Sequence, residues 1–254
     1  MAFNLNKYVS PAKPLPIILV LDTSGSMSID HRIDNLNEAV KTMIEEFKDA
    51  VQKEVSIQLA IVSFSDCPVL QLPYTSPANI VYKELHAGGG TELGLALNFV
   101  KEIIEDKEKT PSRAYRPLVV LVSDGQPFPG WEDPMKQFID EGRTSKSDRM
   151  SMFIGPKDES AKEVMRAFLR NTANDVFLAE DASHITDFFK FVTMSTIART
   201  KSQNPDIAIP LIPPSSSSEK EEISIEANVI NSNPPTVTVQ LEDRDVSSDE
   251  EDIW

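Results

Sequence analysis

The segment from Leu15 to Ser28 constrains the fold of this chain more than any other, because an unbroken apolar run ends there on an acid and alternating hydroxyls. The seven apolar or proline residues from Leu15 to Leu21 predict a strand that is buried on both faces, as in the middle of a parallel sheet. Asp22 would then lie at the carboxyl end of a central strand. In open α/β sheets that edge is where ligands bind.

Small polar side chains follow this strand in a tight turn. Asp22, Ser24 and Ser26 alternate in the sequence Asp-Thr-Ser-Gly-Ser, so that one carboxylate and two hydroxyls can converge on one point. Oxygen ligands of this kind suit Mg²⁺ or Mn²⁺. The alternative is a helix N-cap, because Asp, Ser and Thr also accept hydrogen bonds from the first amides of a helix.

Two later segments favour the metal interpretation. Thr91 follows three glycines at the start of a helix predicted over 93–106, and Asp124 follows a second buried strand predicted over 117–123. Three separate strand-to-loop junctions therefore present candidate metal ligands. The candidates are Asp22, Ser24, Ser26, Thr91 and Asp124.

These residues are similar to the metal-ion-dependent adhesion site of the von Willebrand factor A domain, with Asp22-Thr-Ser-Gly-Ser26, Thr91 and Ser-Asp124-Gly in the matching places. The resemblance covers about residues 14–200. It implies that a divalent cation, Mg²⁺ (or Mn²⁺), binds an acidic side chain of a protein partner, and that Ser24 and Ser26 ligate this cation directly.

The surrounding sequence resembles a bacterial branch of that family. Gly-Gly-Gly-Thr-Glu-Leu-Gly and Ser-Asp-Gly-Gln-Pro are similar to the stand-alone A-domain proteins grouped with the tellurium-resistance protein TerY. This resemblance implies a stress-response or phospho-signalling system, with a kinase or a PP2C-type phosphatase as the partner.

The pattern of apolar residues predicts an α/β fold with a doubly wound, mostly parallel sheet of six strands, flanked by helices. Strands alternate with amphipathic helices along the chain, apart from one short antiparallel edge strand. The predicted strands cover 15–21, 55–64, 69–73, 117–123, 149–154 and 175–178, and the predicted helices cover 32–54, 93–106, 131–141, 159–169 and 184–200.

Composition divides the chain into three parts: an N-terminal lead (1–13), the A domain (14–200) and a tail (201–254). The tail begins rich in proline and serine, and it carries 12 acidic and 3 basic residues, so it holds most of the formal charge of −15. Such a segment buries too little apolar surface to order itself, and we expect it to be disordered. Its candidate phosphorylation sites are Thr238, Ser247 and Ser248.

Charge and composition also limit the partners and the compartment. An acidic chain repels phosphate backbones, so we expect no nucleic-acid partner. The sequence has no apolar run long enough to span a membrane and no secretory h-region near its start, and its single cysteine, Cys67, cannot form an intrachain disulfide. We therefore expect a cytoplasmic protein.

Two aromatic residues, Phe128 and Trp131, lie in the loop after Asp124. They either belong to the core or form a partner-contact surface beside the metal, and the sequence leaves both interpretations open.

The second class of function is an Mg²⁺-dependent phosphoryl-transfer or phosphatase-like enzyme. A nucleophilic aspartate at a strand end normally has a second acid two residues later, but that position is Ser24. The glycine run before Thr91 is followed by Glu92 and Leu93 instead of the lysine of a phosphate-binding loop. We therefore expect an interaction protein and not an enzyme.

Overall fold

The computed structural model of the 254-residue chain describes residues 12–50, 55–156 and 158–206. Six strands form one sheet in the order β3-β2-β1-β4-β5-β6, and all neighbours are parallel except β2 and β3. The strands are β1 (Lys13–Asp22), β2 (Val55–Phe64), β3 (Pro68–Thr75), β4 (Leu118–Ser123), β5 (Asp148–Ile154) and β6 (Phe177–Ala179). The helices are α1 (Arg32–Asp49), α2 (Leu93–Glu105), α3 (Glu132–Asp140), α4 (Glu159–Leu169) and α5 (Ala182–Lys201). The predicted fold class is confirmed.

The core has two layers, one on each face of the sheet. Strand β1 shows why: Ile17, Leu19 and Leu21 pack into a cluster with α1 and α5, whereas Ile18 and Val20 pack into a cluster with α2, α3 and α4. Because side chains alternate across a strand, an uninterrupted apolar run supplies both layers. None of the described helices combines the length and apolar character that crossing a membrane requires.

Most predicted element bounds agree with the structure to within a few residues, and the largest difference is at the end of α1. The helix ends at Asp49, and Ala50 has left the helical conformation with φ −89° and ψ 35°. The remaining residues of the predicted helix, 51–54, lie outside the described residues. Helix α5 begins earlier than predicted, because the Asp181 side chain accepts hydrogen bonds from the amides of Ser183 and His184 and so caps its start.

The contacts that anchor the end of α5 continue past the predicted domain boundary at Thr200. Buried Arg199 donates from Nε to the Pro205 carbonyl at 2.9 Å, and the Asp206 carboxylate accepts from the Arg116 amide at 2.6 Å. The described chain therefore packs against the domain as far as Asp206. The remainder of the predicted tail, with Thr238, Ser247 and Ser248, lies outside the described residues, as do residues 1–11.

Candidate metal centre

The candidate ligands lie where the winding of the sheet changes direction. Strand β1 has β2 on one side and β4 on the other, and Leu21 pairs with Val122 close to the carboxyl ends of both central strands. Asp22 and Asp124 therefore leave the sheet side by side. Such a topological switch point is the usual ligand site of an open α/β sheet.

Asp22 is fully buried, and hydrogen bonds fix both of its oxygens. Oδ1 accepts from the Ser24 amide at 2.7 Å, and Oδ2 accepts from the Ser123 hydroxyl at 2.5 Å. Burial raises the pKa of Asp22 to about 6, against the opposing effect of these hydrogen bonds, and the nearby Asp124 adds to the rise. Among the described residues no basic side chain forms an ion pair with this carboxylate.

The two serines of the turn connect Asp22 to Asp124. The hydroxyl oxygens of Ser24 and Ser26 lie 3.0 Å apart, and Ser26 donates to Asp124 Oδ1 at 2.7 Å. Four of the five predicted ligands thus belong to one continuous hydrogen-bonded chain. The N-cap alternative is not what the turn uses: Ser24 precedes the short 3₁₀ segment Gly25–His31, but its side chain makes no capping hydrogen bond.

Thr91, the fifth candidate, arrives on a loop that backbone hydrogen bonds hold against the turn. Gly25 donates to the Gly89 carbonyl at 3.0 Å, and Gly88 donates to the Thr23 carbonyl at 2.8 Å. Thr91 is 9% exposed, and its hydroxyl makes no hydrogen bond within the described part of the chain. The structure thus brings the loop of Thr91 to the turn that carries Ser24 and Ser26, and leaves its hydroxyl free to ligate a cation.

Asp66, in the turn between β2 and β3, also holds this loop in place. Its Oδ1 accepts from the Gly90 amide at 2.7 Å, and Gly89 has a positive φ of 80°. A Cβ on Gly89 would lie 2.7 Å from the Asp66 carboxylate, so the carboxylate can approach the backbone only because this residue is glycine.

Sequence reasoning missed a cation in this cluster. Arg32 Nη1 lies 2.7 Å from Asp124 Oδ2, and the Arg32 and Asp124 side chains are 13% and 0% exposed. The sequence did contain a signal: Arg32 lies in the first turn of α1, where the helix dipole makes a cation unfavourable unless an acidic side chain pairs with it. The identity of that acid, 92 positions away in the sequence, needed the structure.

The donor set fits a hard divalent cation. Two carboxylates and two hydroxyls form one hydrogen-bonded cluster, with the loop of Thr91 held against it. A cation there would favour the charged form of the buried Asp22. Within the described residues no group of three or more His, Cys, Asp and Glu could hold a metal ion. A metal at this centre would therefore depend on the hydroxyls, and the assignment of the five ligands stays a prediction.

The two aromatic residues after Asp124 lie in different environments. Phe128 is 49% exposed, and its amide donates to the Thr91 carbonyl at 3.0 Å. Trp131 is half-buried and packs against the core layer below α2 and α3. Ile29, which the sequence did not single out, is 50% exposed on the turn after Ser26. Phe128 and Ile29, more than Trp131, are available to a partner.

Comparison with known proteins shows which family the sequence is similar to. Residues 17–126 match the family described as the von Willebrand factor type A domain. The human collagen alpha-1(XXI) chain is 27% identical over 175 residues, which is 66% of this chain and 17% of the collagen chain. This chain thus spans less than a fifth of that relative.

Two solved structures share the fold. Proximal thread matrix protein 1 from the mussel byssus, in a form with a zinc-occupied MIDAS motif, is 18% identical with a TM-score of 0.56, over 74% of this chain and 49% of that one. A von Willebrand factor type A protein from Catenulispora acidiphila is also 18% identical, with a TM-score of 0.53, over 74% of this chain and 43% of that one.

Proposed function

Because residues 17–126 match the von Willebrand factor type A domain and the chain has the fold of that domain, we propose that it is a metal-dependent protein–protein interaction module. Its centre holds Mg²⁺ (or Mn²⁺), and this cation binds an acidic side chain of a protein partner. The observation that carries the proposal is the hydrogen-bonded chain from Asp22 through Ser24 and Ser26 to Asp124, with the loop of Thr91 held against the same turn by backbone hydrogen bonds. The zinc in the mussel protein's MIDAS motif supports a divalent cation.

The charge of the donor set explains why the partner group is acidic. Only Asp22 and Asp124 carry charge among the five ligands, so they do no more than cancel a divalent cation, and the three hydroxyls add none. A centre without surplus negative charge accepts a further carboxylate at its open position. Exposed Phe128 and Ile29 provide apolar contact beside that position.

The partner we propose is a kinase or a PP2C-type phosphatase of a TerY-like stress-response or phospho-signalling system in the cytoplasm. The support is the resemblance of the loops around Thr91 and Asp124 to TerY-like proteins. In such a system Thr238, Ser247 and Ser248 would be the modified residues. Phosphate mapping of protein from the native cell checks this, and unmodified tail peptides would argue against it.

We further propose that the module is not an enzyme. Asp22 is the residue that a phosphatase would use as a nucleophile, but both of its oxygens are engaged, and the side chain two residues later is the hydroxyl of Ser24. No acid is therefore placed to protonate a leaving group in the manner of that enzyme class. A phosphatase assay with Mg²⁺ and a generic phosphoester tests this, and turnover lost in Asp22→Ala would overturn it.

The direct test combines metal titration with partner capture. Wild type should bind Mg²⁺ or Mn²⁺ and retain one lysate protein in Mg²⁺ but not in EDTA, and the Asp22→Ala/Asp124→Ala variant should do neither. The matched control, Asp49→Ala/Asp133→Ala, removes two exposed acids that are not among the candidate ligands, and it should behave as wild type. Unchanged metal affinity in the first double variant would contradict the site, and capture that ignores metal would move binding to another surface.

A further inference from the structure

Arg32 is a charged side chain at the metal centre that the proposed function does not use. It is the first residue of α1, and its Nη1 donates to Asp124 Oδ2 at 2.7 Å. Ser26 occupies the other oxygen of Asp124 at 2.7 Å. Both oxygens of this carboxylate are therefore engaged within the protein, one of them by a full positive charge.

The backbone before Arg32 has an uncommon conformation. Asp30 and His31 are consecutive non-glycine residues in the left-handed region, with φ of 51° and 56°. Residues keep such conformations where the surrounding structure requires them, often at functional sites. Here the two residues turn the chain between the serine turn and α1, directly before the residue that reaches Asp124.

The guanidinium group of Arg32 has open space beside it. Gly155, at the end of β5, has a φ of 124°, and a Cβ there would lie 3.3 Å from Arg32 Nη2. Arg32 also lines a pocket of about 600 Å³ together with Gly155 and residues before α5. The guanidinium group can therefore move aside if Asp124 turns toward a cation.

The charge balance gives Arg32 its effect. Asp22 and Asp124 together cancel a divalent cation, so Arg32 adds one positive charge to the loaded centre, while Asp30, Glu180 and Asp181 line the pocket on its other side. Two like charges in a partly buried cluster repel each other, and even strong solvent screening leaves an effect of about tenfold in affinity. The same positive charge attracts an incoming carboxylate.

We infer that Arg32 is a positioning residue that neutralises Asp124, weakens the hold of the centre on its divalent cation, and leaves the loaded centre positive toward an acidic partner. This inference rests on the proposed function, because it requires that the centre binds a cation. It goes beyond that function by making metal retention and acid recognition depend in opposite directions on one residue. A residue that merely supported the fold would not have this effect.

The test measures the affinity of the full chain for Mn²⁺, by electron paramagnetic resonance of the free ion, in four proteins. Arg32→Gln removes the charge and should bind Mn²⁺ about tenfold more tightly than wild type. Arg32→Lys keeps a cation and should remain near wild type. Lys41→Gln removes an exposed charge from the same helix, where Lys41 pairs with Glu38 at 3.8 Å, and should match wild type.

A second measurement tests how tightly the metal-loaded centre binds a carboxylate. Glutarate binding to the Mn²⁺-loaded protein, read from water-proton relaxation, should weaken about tenfold in Arg32→Gln, because the loaded centre is then neutral. Melting in EDTA and in Mn²⁺ shows that the variant folds. Its Mn²⁺-induced rise in melting temperature should exceed that of wild type.

The outcomes separate this inference from the proposed function. Mn²⁺ affinity that stays equal or falls in Arg32→Gln, while wild type binds Mn²⁺, overturns the role of Arg32 and leaves the metal module intact. Failure of every protein to bind Mn²⁺ overturns both. An equal gain in Lys41→Gln would show that overall charge, and not Arg32, sets the affinity.

Discussion

Gly90 lies in the loop that carries Thr91, close to the exposed ring of Phe128. A Cβ at this position would lie 2.5 Å from Cε2 and 2.7 Å from Cζ of the Phe128 ring. Gly90→Ala should therefore displace Phe128, and we expect a loss of about 1–2 kcal/mol in unfolding free energy. Urea denaturation monitored by circular dichroism measures this loss.

Gly88→Ala is the matched control, because nothing lies within 4 Å of the added methyl group. It should stay within about 0.5 kcal/mol of wild type. Equal losses in the two variants would show that backbone entropy, and not the contact with Phe128, accounts for the effect at Gly90.

The positions of Asp22 and Asp124 at the sheet edge were predictable at this scale, but their surroundings were not. Asp22 and Asp124 each follow a long apolar run, and a strand buried on both faces must place its last residue at the sheet edge. The pairing of Arg32 with Asp124 depends on the order of strands and on the turn at Asp30 and His31. No local pattern contains that information.

Helix α4 illustrates, at the scale of an element, how a buried cation ends a helix. Arg149 on β5 is 1% exposed, and it donates from Nε to the Phe168 carbonyl at 2.9 Å and from Nη2 to the Arg170 carbonyl at 2.6 Å. Terminal carbonyls lack partners within the helix and carry partial negative charge. We expect Arg149→Met to lower the unfolding free energy by about 1–3 kcal/mol, because it leaves the buried Phe168 carbonyl unpaired.

Arg166→Met on the same helix is the control, because the Arg166 side chain is 43% exposed and forms surface ion pairs with Glu159 and Glu163. Its cost should be below about 1 kcal/mol. Thermal unfolding of both variants gives the comparison, and a similar drop for the two would contradict a capping role for Arg149.

Most helices and strands could be predicted from local sequence patterns. Strand β2 and helix α4 have the predicted bounds, because each joins a clear periodicity to a clear end signal, such as the Asp158 cap of α4. Strand β6 is three residues long, and its bounds follow from pairing with β5 at Met152, Phe153 and Ile154. A strand that depends on its neighbour carries little signal of its own.

At the scale of the whole molecule, the end of the folded domain is set by tertiary contacts. Arg199 reaches the carbonyls of Pro205 and Arg116, each at 2.9 Å, and Lys13 pairs with Asp206 at 3.7 Å. Composition suggested a boundary at Thr200, because the proline- and serine-rich sequence begins soon afterwards. Composition could not show that the first of these prolines is buried.

Two truncations test this boundary. Removal of residues 207–254 should leave the melting temperature within about 2 °C, since we expect that segment to add no packing. Removal of residues 202–254 should lower it by several degrees, because each kcal/mol lost costs about 2–4 °C in a domain of this size. Differential scanning calorimetry distinguishes the two variants. A large drop in melting temperature on removal of residues 207–254 would show that the tail packs on the domain.

The metal centre joins segments that are far apart along the chain, because Ser26 meets Asp124 across 98 positions and Ser123 meets Asp22 across 101. Its ligands can therefore assemble only in the native state. A cation that binds the native chain alone acts as a ligand of folding, and at a hundred times its dissociation constant it adds about 2.7 kcal/mol to the unfolding free energy. The melting temperature of wild type should rise with the logarithm of the Mn²⁺ concentration, and that of Asp22→Ala/Asp124→Ala should not. The supply of divalent cation would thus govern the lifetime of the folded protein as well as its occupancy by a partner.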